Sequence, residues 1–330
     1  MSAVRVGVIG VGHQGKHHAR AYTQLEEANL VGVYDADPAR TMEVASQFAV
    51  QAFDSEARLL KQVEAVSVVV PTSSHAEVGV RALEHGVHTF VEKPIASTLA
   101  EAGGLVQAAQ QRGLVLQVGH IERFNQAVRA LSGEPLAPRF VEAHRLAQFS
   151  PRGTDVAVVL DLMIHDIDLI LWMVKSKPVS IDAVGVAVVS DSADIANARL
   201  TFENGCVANV TASRISPKKM RKMRLFQQNA YVSLDLASGL AEVYRLSGEG
   251  SSQQRAASLG ELEWGREDRG TTYEQLQAAP GDALELELGA FLGSVRAKTR
   301  PPVTGEEARE ALAVALEVMT AIEARSQEAK

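Results

Sequence analysis

Residues 4–15 read Val-Arg-Val-Gly-Val-Ile-Gly-Val-Gly-His-Gln-Gly, and the fold turns on this stretch. Val4–Ile9 is a near-continuous apolar run, as expected of a strand buried on both faces. It leads straight into Gly10-Val-Gly12-His-Gln-Gly15, and a helical pattern follows. Each glycine has its own task. Gly10 permits a tight turn, Gly12 lets the backbone approach a pyrophosphate, and Gly15 lets helix and strand pack closely. The helix N-terminus, with His13 and Gln14 in its first turn, offers N–H groups and partial positive charge to a diphosphate. Asp35 lies 20 residues beyond Gly15, at the end of the next apolar run. A carboxylate there accepts hydrogen bonds from an adenosine ribose and repels a 2′-phosphate, so NAD is expected rather than NADP. Arg40 nearby is the one residue that pulls toward NADP.

The same rhythm continues outward from this motif. Apolar runs at Leu30–Tyr34, Val66–Val70, His88–Val91 and Val115–Val118 alternate with helical segments. Ser74/Glu77 and Thr98/Glu101 have capping-box spacing, and Gly86 and Gly113 stand where helices end. The expectation is an N-terminal Rossmann domain over residues 1–122, a doubly wound parallel sheet. Beyond it the pattern changes. Arg139–Ala147 reads as a strand and Asp155–Val174 as a long apolar helix. Strand-like stretches follow at Ser180–Val189, Ile195–Phe202, Cys206–Arg214, Met220–Gln228 and Tyr231–Tyr244, with Asn204-Gly205 as a hairpin turn. Residues 123–330 are therefore expected to form an α+β domain with a large, mostly antiparallel open sheet. Residues 247–280 read as an irregular excursion. Helices at Ala283–Lys298 and Gly305–Ala324, the second capped by Thr304 and Glu307, are candidates to pack back on the first domain.

Two constellations carry chemistry. Glu92-Lys93-Pro94 follows a buried run, at the strand end where α/β proteins bind ligands. A half-buried lysine there suits proton traffic. On the long apolar helix, Asp161, His165 and Asp168 are spaced i, i+4, i+7 and share a face. Such a stripe on a buried helix costs desolvation that function would justify. A histidine can take a hydroxyl proton as hydride leaves the same carbon, and a carboxylate one turn away can orient it.

The 330 residues are 46% hydrophobic with a formal net charge of -7. That length suits about two domains, and the acidic balance argues against nucleic-acid binding. No apolar run reaches a membrane span's length, so no membrane partner is expected. With Cys206 alone there is no intrachain disulfide, and a cytoplasmic protein is the natural expectation. His13, His17 and His18 have no Cys or Glu partner at ligand spacing, so they read as solvated helix positions and no metal is expected.

Residues 7–15 (GVIGVGHQG), residues 71–94 (PTSSHAEVGVRALEHGVHTFVEKP) and the Asp161…His165 pair resemble the Gfo/Idh/MocA family of sugar and cyclitol dehydrogenases. The resemblance implies that Lys93, Asp161 and His165 act at the hydride-transfer site. It also implies that Pro71, Thr72 and His75 line the cofactor and that Glu92 borders the nicotinamide. Val158-Val159-Leu160 and Met163 replace glycines common in the family, which implies a different substrate room. Residues 118–129, 158–172 and 196–214 are similar to a bacterial subgroup associated with lipid A precursor synthesis, with UDP-N-acetylglucosamine 3-dehydrogenase activity. That similarity implies a nucleotide-sugar substrate contacted from Arg123 and Asn125 onward. The basic residues Lys218, Lys219, Arg221, Lys222 and Arg224 read mainly as a solvated face. A homodimer or homotetramer is expected from the open sheet. The alternatives are another sugar or cyclitol dehydrogenase, a redox-assisted NAD-dependent glycosidase, and a non-catalytic dinucleotide sensor.

Overall fold

A computed structural model describes residues 3–149, 156–246 and 271–328. The chain divides into two compact units, Met1–Ile121 with Gly281–Ala313, and Glu122–Pro280 with Val314–Lys330.

The first unit begins with β1 (Val4–Ile9), α1 (His13–Gln24), β2 (Ala28–Tyr34), α2 (Pro38–Phe48), β3 (Gln51–Ala52) and α3 (Glu56–Leu60). It continues with β4 (Ala65–Val68), α4 (Thr72–Glu84), β5 (His88–Glu92), α5 (Leu99–Arg112) and β6 (Leu116–Gly119). All six strands run parallel in the order β3-β2-β1-β4-β5-β6. The order reverses between β1 and β4, and open α/β sheets bind ligands at that switch. The two-residue β3 escaped the sequence reading because it is too short to show a period. Thr98 and Glu101 form the expected capping box of α5. Ser74 and Glu77 do not form one: α4 already starts at Thr72, with Pro71 as its N-cap, so Ser74 lies inside the helix.

The second unit holds α6 (Gln126–Arg129), β7 (Phe140–Leu146), α7 (Ile164–Val174), β8 (Pro178–Val186), β9 (Ile195–Phe202) and β10 (Val207–Ser213). The rest of its sheet is β11 (Met220–Gln227), β12 (Ala230–Asp235), β13 (Leu240–Leu246) and β14 (Thr271–Leu276). The eight strands lie in the order β14-β13-β12-β11-β7-β10-β9-β8. Every pair is antiparallel except β7 with β10. The expected single strand over Tyr231–Tyr244 is two. Asp235 accepts the N–H groups of Ala237 and Ser238, and Gly239 takes φ +75, so the chain turns there. Of the expected excursion, 247–270 lies outside the described residues, and 271–276 pairs as the edge strand β14. Asp155 also lies outside them.

The chain closes with α8 (Ala283–Ala297) and α9 (Gly305–Glu328), the latter capped by Thr304 and Glu307 as expected. Leu288, Phe291 and Leu292 of α8 are fully buried in the core of the first unit with Val6, Val8, Ala19 and Phe90. Each such side chain contributes roughly 1.5–3 kcal/mol by leaving water. Among the described residues, no helix is long and apolar enough to cross a membrane.

Candidate active site

In the first unit the loop from β1 to α1 has the geometry of a phosphate cradle. Gly10 takes φ +85, and a Cβ there would lie 2.5 Å from the Val69 carbonyl oxygen. A Cβ on Gly15 would lie 1.9 Å from the Gly10 oxygen, so neither position admits a side chain. A Cβ on Gly12 would meet nothing within 4 Å. Gly12 is the N-cap of α1 and supplies no capping side chain, while His13 and Gln14 in the first turn are exposed. The helix N-terminus is thus open to an anion.

Asp35, at the end of β2, accepts the N–H of Val11 at 2.8 Å and of Asp37 at 2.9 Å. The carboxylate therefore grips the glycine loop itself and keeps lone pairs for a further donor. Arg40 lies 3.5 Å from Asp35 and 3.8 Å from Asp37, held between two carboxylates. The cap of α2 is Asp37, not Asp35.

Beyond β4, Pro71 is exposed and Thr72 starts α4. His75 is buried, with Nδ1 2.8 Å from the Pro94 oxygen and Nε2 2.9 Å from the Val70 oxygen. It ties the turn after β4 to the turn after β5. Burial lowers its pKa against the pull of the two carbonyls, and a neutral ring donates to one of them at a time.

Lys93 is half-buried just past β5, and the Lys93–Pro94 peptide is cis. Glu92 places Oε1 2.9 Å from His18 Nε2 and accepts the Lys93 N–H at Oε2, 3.1 Å away. Burial pushes the Glu92 carboxyl up, but the His18 hydrogen bond and the Lys93 charge bring it below its usual value. His18 is fully buried, which corrects the expectation of a solvated residue; His13 and His17 are exposed. A signal was present in the sequence. Gly15, His18, Ala19 and Tyr22 share one helical face, and all are buried.

In the second unit, Asp161 lies within a π turn, Val159–Met163, that runs into α7. Single π turns inside helices are frequent at functional sites. Asp161 and His165 are half-buried, one turn apart. Asp168 is buried and takes a bidentate contact from Arg123, 2.8 Å from Nε and 2.6 Å from Nη2. The guanidinium also lies 5.8 Å from the Trp172 ring centre. Asn125 caps α6 and donates to Glu122 and the Leu236 oxygen, so its amide joins α6 to the β12 turn.

The sequence reading passed over a buried ionic knot. Arg145 on β7 meets Asp166 through Nε and Nη2, both at 2.9 Å, and Glu122 through Nη1 at 2.7 Å. Burial opposes the Arg145 charge, and the two carboxylates more than offset it. Of the basic cluster, Arg221, Lys222 and Arg224 lie near Glu122, Asp235 and Glu142, as a solvated face would.

Residues 4–120 match the family model for the oxidoreductase family with NAD-binding Rossmann fold, GFO/IDH/MocA. Residues 127–233 match the GFO/IDH/MocA C-terminal domain. The chain is 41% identical over 325 residues to UDP-N-acetylglucosamine 3-dehydrogenase of Acidithiobacillus ferrooxidans, covering 98% of this chain and 99% of that one. The solved structure of that enzyme superposes with a TM-score of 0.87 at 40% identity, covering 98% and 99% of the two chains. The scyllo-inositol 2-dehydrogenase (NAD(+)) of Bacillus subtilis is 28% identical over 233 residues, 65% of this chain and 68% of that one. The chain belongs to the Gfo/Idh/MocA family of NAD-binding oxidoreductases.

Proposed function

We propose that this protein is an NAD-dependent dehydrogenase that oxidises the 3-hydroxyl of UDP-N-acetylglucosamine to a ketone. Similarity along almost the whole chain to an enzyme of that name carries the reading. The product, a 3-keto nucleotide sugar, suits a later transamination, and the subgroup resemblance supports a role in lipid A precursor synthesis.

The glycine loop fits a dinucleotide, since its two closed glycines and open Gly12 leave room for a diphosphate against the N-terminus of α1. A dinucleotide held there would supply a hydride acceptor for oxidation of the carbinol. Asp35 receives a ribose hydroxyl and repels a 2′-phosphate. Arg40, lying between Asp35 and Asp37, does little to offset this, so NAD is preferred to NADP. His165 accepts the hydroxyl proton as the carbon–oxygen bond gains double-bond character. Asp161 orients that imidazole from one turn away, and Lys93 donates to the oxygen as it becomes a ketone. Arg123, fixed by Asp168, stands at the start of the sugar contacts with Asn125.

Incubation with NAD⁺ or NADP⁺ and a panel of UDP-N-acetylglucosamine, other UDP-sugars, free sugars and scyllo-inositol tests the reading. The expected result is NADH and a keto sugar from UDP-N-acetylglucosamine, with much slower NADP⁺ reduction. Faster turnover of a free sugar or an inositol rules the substrate out, and bond cleavage without keto sugar rules the reaction out.

We also propose a homodimer or homotetramer in the cytoplasm. Phe140, Phe226, Tyr231, Tyr244 and Tyr273 form a row across the sheet of the second unit, with ring centres 4.9–5.6 Å apart. None of the five is buried, and a partner's sheet face would cover the row. A monomeric mass by light scattering removes the oligomer. Buried Cys206 has no second cysteine in the chain to pair with, in keeping with a reducing compartment.

A further inference from the structure

A chain of buried polar groups runs behind Lys93. Tyr22 on α1 has its hydroxyl 2.8 Å from Ser67 Oγ on β4. Ser67 Oγ is 3.2 Å from His18 Nδ1, and His18 Nε2 is 2.9 Å from Glu92 Oε1. Glu92 Oε2 accepts the backbone N–H of Lys93. Tyr22, Ser67 and His18 are essentially inaccessible to solvent, and Phe90 packs edge-on against the imidazole at 5.4 Å. On the far side Gly119 presses on the Glu92 carboxylate, since a Cβ there would lie 3.1 Å from Oε1.

One order of donors serves every group in this chain with a neutral imidazole. Tyr22 O–H donates to Ser67, Ser67 O–H donates to His18 Nδ1, and His18 Nε2–H donates to the Glu92 carboxylate. With the proton on Nδ1 instead, Ser67 Oγ would accept from both His18 and Tyr22, and its own O–H would have no acceptor in this chain. Among the described residues, the hydrogen bonds of this chain run no further than the buried Tyr22 phenol. The effect of the chain is to fix one carboxylate, in one orientation and one ionisation state.

We infer that His18 is a positioning residue of the dehydrogenase: it holds Glu92 ionised and aimed, and through Glu92 it sets the backbone and local field of Lys93. The kinetic part of this inference rests on the role proposed above for Lys93. The titratable groups facing Glu92 are His18 itself, Lys93 and His75, with Tyr22 behind His18 and Glu287 of α8 behind Tyr22. Of these, His18 makes a side-chain hydrogen bond to Glu92 at 2.9 Å.

The test compares three variants. His18→Leu removes both hydrogen bonds. His18→Asn reaches Ser67 but not Glu92, and covers the case in which the apolar variant does not fold. His18→Gln carries an N–H close to where Nε2–H was. Glu92 is titrated by carbon-13 NMR of labelled glutamate in the cofactor-free protein, with its signal assigned through Glu92→Gln. Losing a donor to a buried carboxylate raises that carboxyl's pKa. The Glu92 midpoint is therefore expected to rise by about one to two pH units in His18→Leu and His18→Asn. The acid limb of kcat should move to higher pH with it, and kcat should fall roughly 10- to 100-fold. NAD affinity should stay near wild type, the melting temperature should fall by several degrees in His18→Leu and His18→Asn because a buried carboxylate has lost its donor, and His18→Gln should restore both midpoint and kcat. An unmoved Glu92 midpoint in His18→Leu or His18→Asn overturns the inference, as does a His18→Gln protein as impaired as His18→Leu. The titration needs no turnover. If the wild type oxidises no sugar, the dehydrogenase reading fails separately while His18 is still judged.

Discussion

Lys93→Ala is expected to lose about 10²–10⁴-fold in kcat while binding NAD almost as tightly as wild type. The separation follows from where the groups lie. The diphosphate cradle is backbone, shaped by Gly10, Gly12 and Gly15, and Asp35 holds it through Val11 N–H. None of this involves the Lys93 side chain. One contact from Lys93 to Glu92 comes from the backbone N–H, which alanine keeps. What alanine removes is an ammonium at the carboxyl end of β5, where charge develops on the substrate oxygen. Lys93→Arg should rescue poorly. A guanidinium keeps the charge but is bulkier and planar, so it cannot set a compact ammonium donor at the same point. Steady-state kinetics with UDP-N-acetylglucosamine, NAD titration by fluorescence and a thermal melt check the claim together. Wild-type turnover by Lys93→Ala refutes the role of the lysine.

Much of the architecture was legible because it is local. The step from Val4–Ile9 into Gly10–Gly15 is a single short signal, and the closed glycines explain why other residues fail there. The Thr98/Glu101 cap and the β9 limits Ile195–Phe202 came out as read, since both depend on residues three or four apart or on strict alternation. The failures share a cause of another kind. Asp235–Gly239 turns the chain without proline, by an aspartate bonding to its own backbone, and the shift of buried positions from Val232, Leu234 and Leu236 to Ala241 and Val243 was the signal passed over. Ser74 and Glu77 have the spacing of a cap, but Pro71 starts the helix earlier.

The candidate site residues were legible in part for the same reason. Lys93, Asp161 and His165 stand out as polar residues in apolar surroundings. His18 was hidden beside two exposed histidines, His13 and His17, and only its place on the Gly15–Tyr22 face marked it as buried. Glu122, Arg145 and Asp166 are separated by 23 and 21 residues along the chain and pair only after the sheet has formed. No spacing rule finds such a knot. It has to be seen in three dimensions.

That knot carries the second large expected effect. Arg145→Ala should destabilise the protein by about 3–5 kcal/mol, because it leaves two buried carboxylates without their cation. Burial already pushes the Asp166 carboxyl up, and without Arg145 it should bind its proton still more tightly in the folded than in the unfolded chain. A carboxyl whose folded pKa is raised favours the folded state below its folded pKa, and that advantage is lost as pH rises through it. The variant should therefore lose more stability at pH 8 than at pH 5, in urea melts at each pH. Adding Asp166→Asn to Arg145→Ala should recover part of the loss at the higher pH by removing one orphaned charge. Equal losses at both pH values would mean that packing, not charge, is what Arg145 supplies. Asp166 adjoins His165 on α7, and Arg145 anchors that helix to β7. The variant should thus lose turnover under conditions where it remains folded, because the imidazole is no longer held in place.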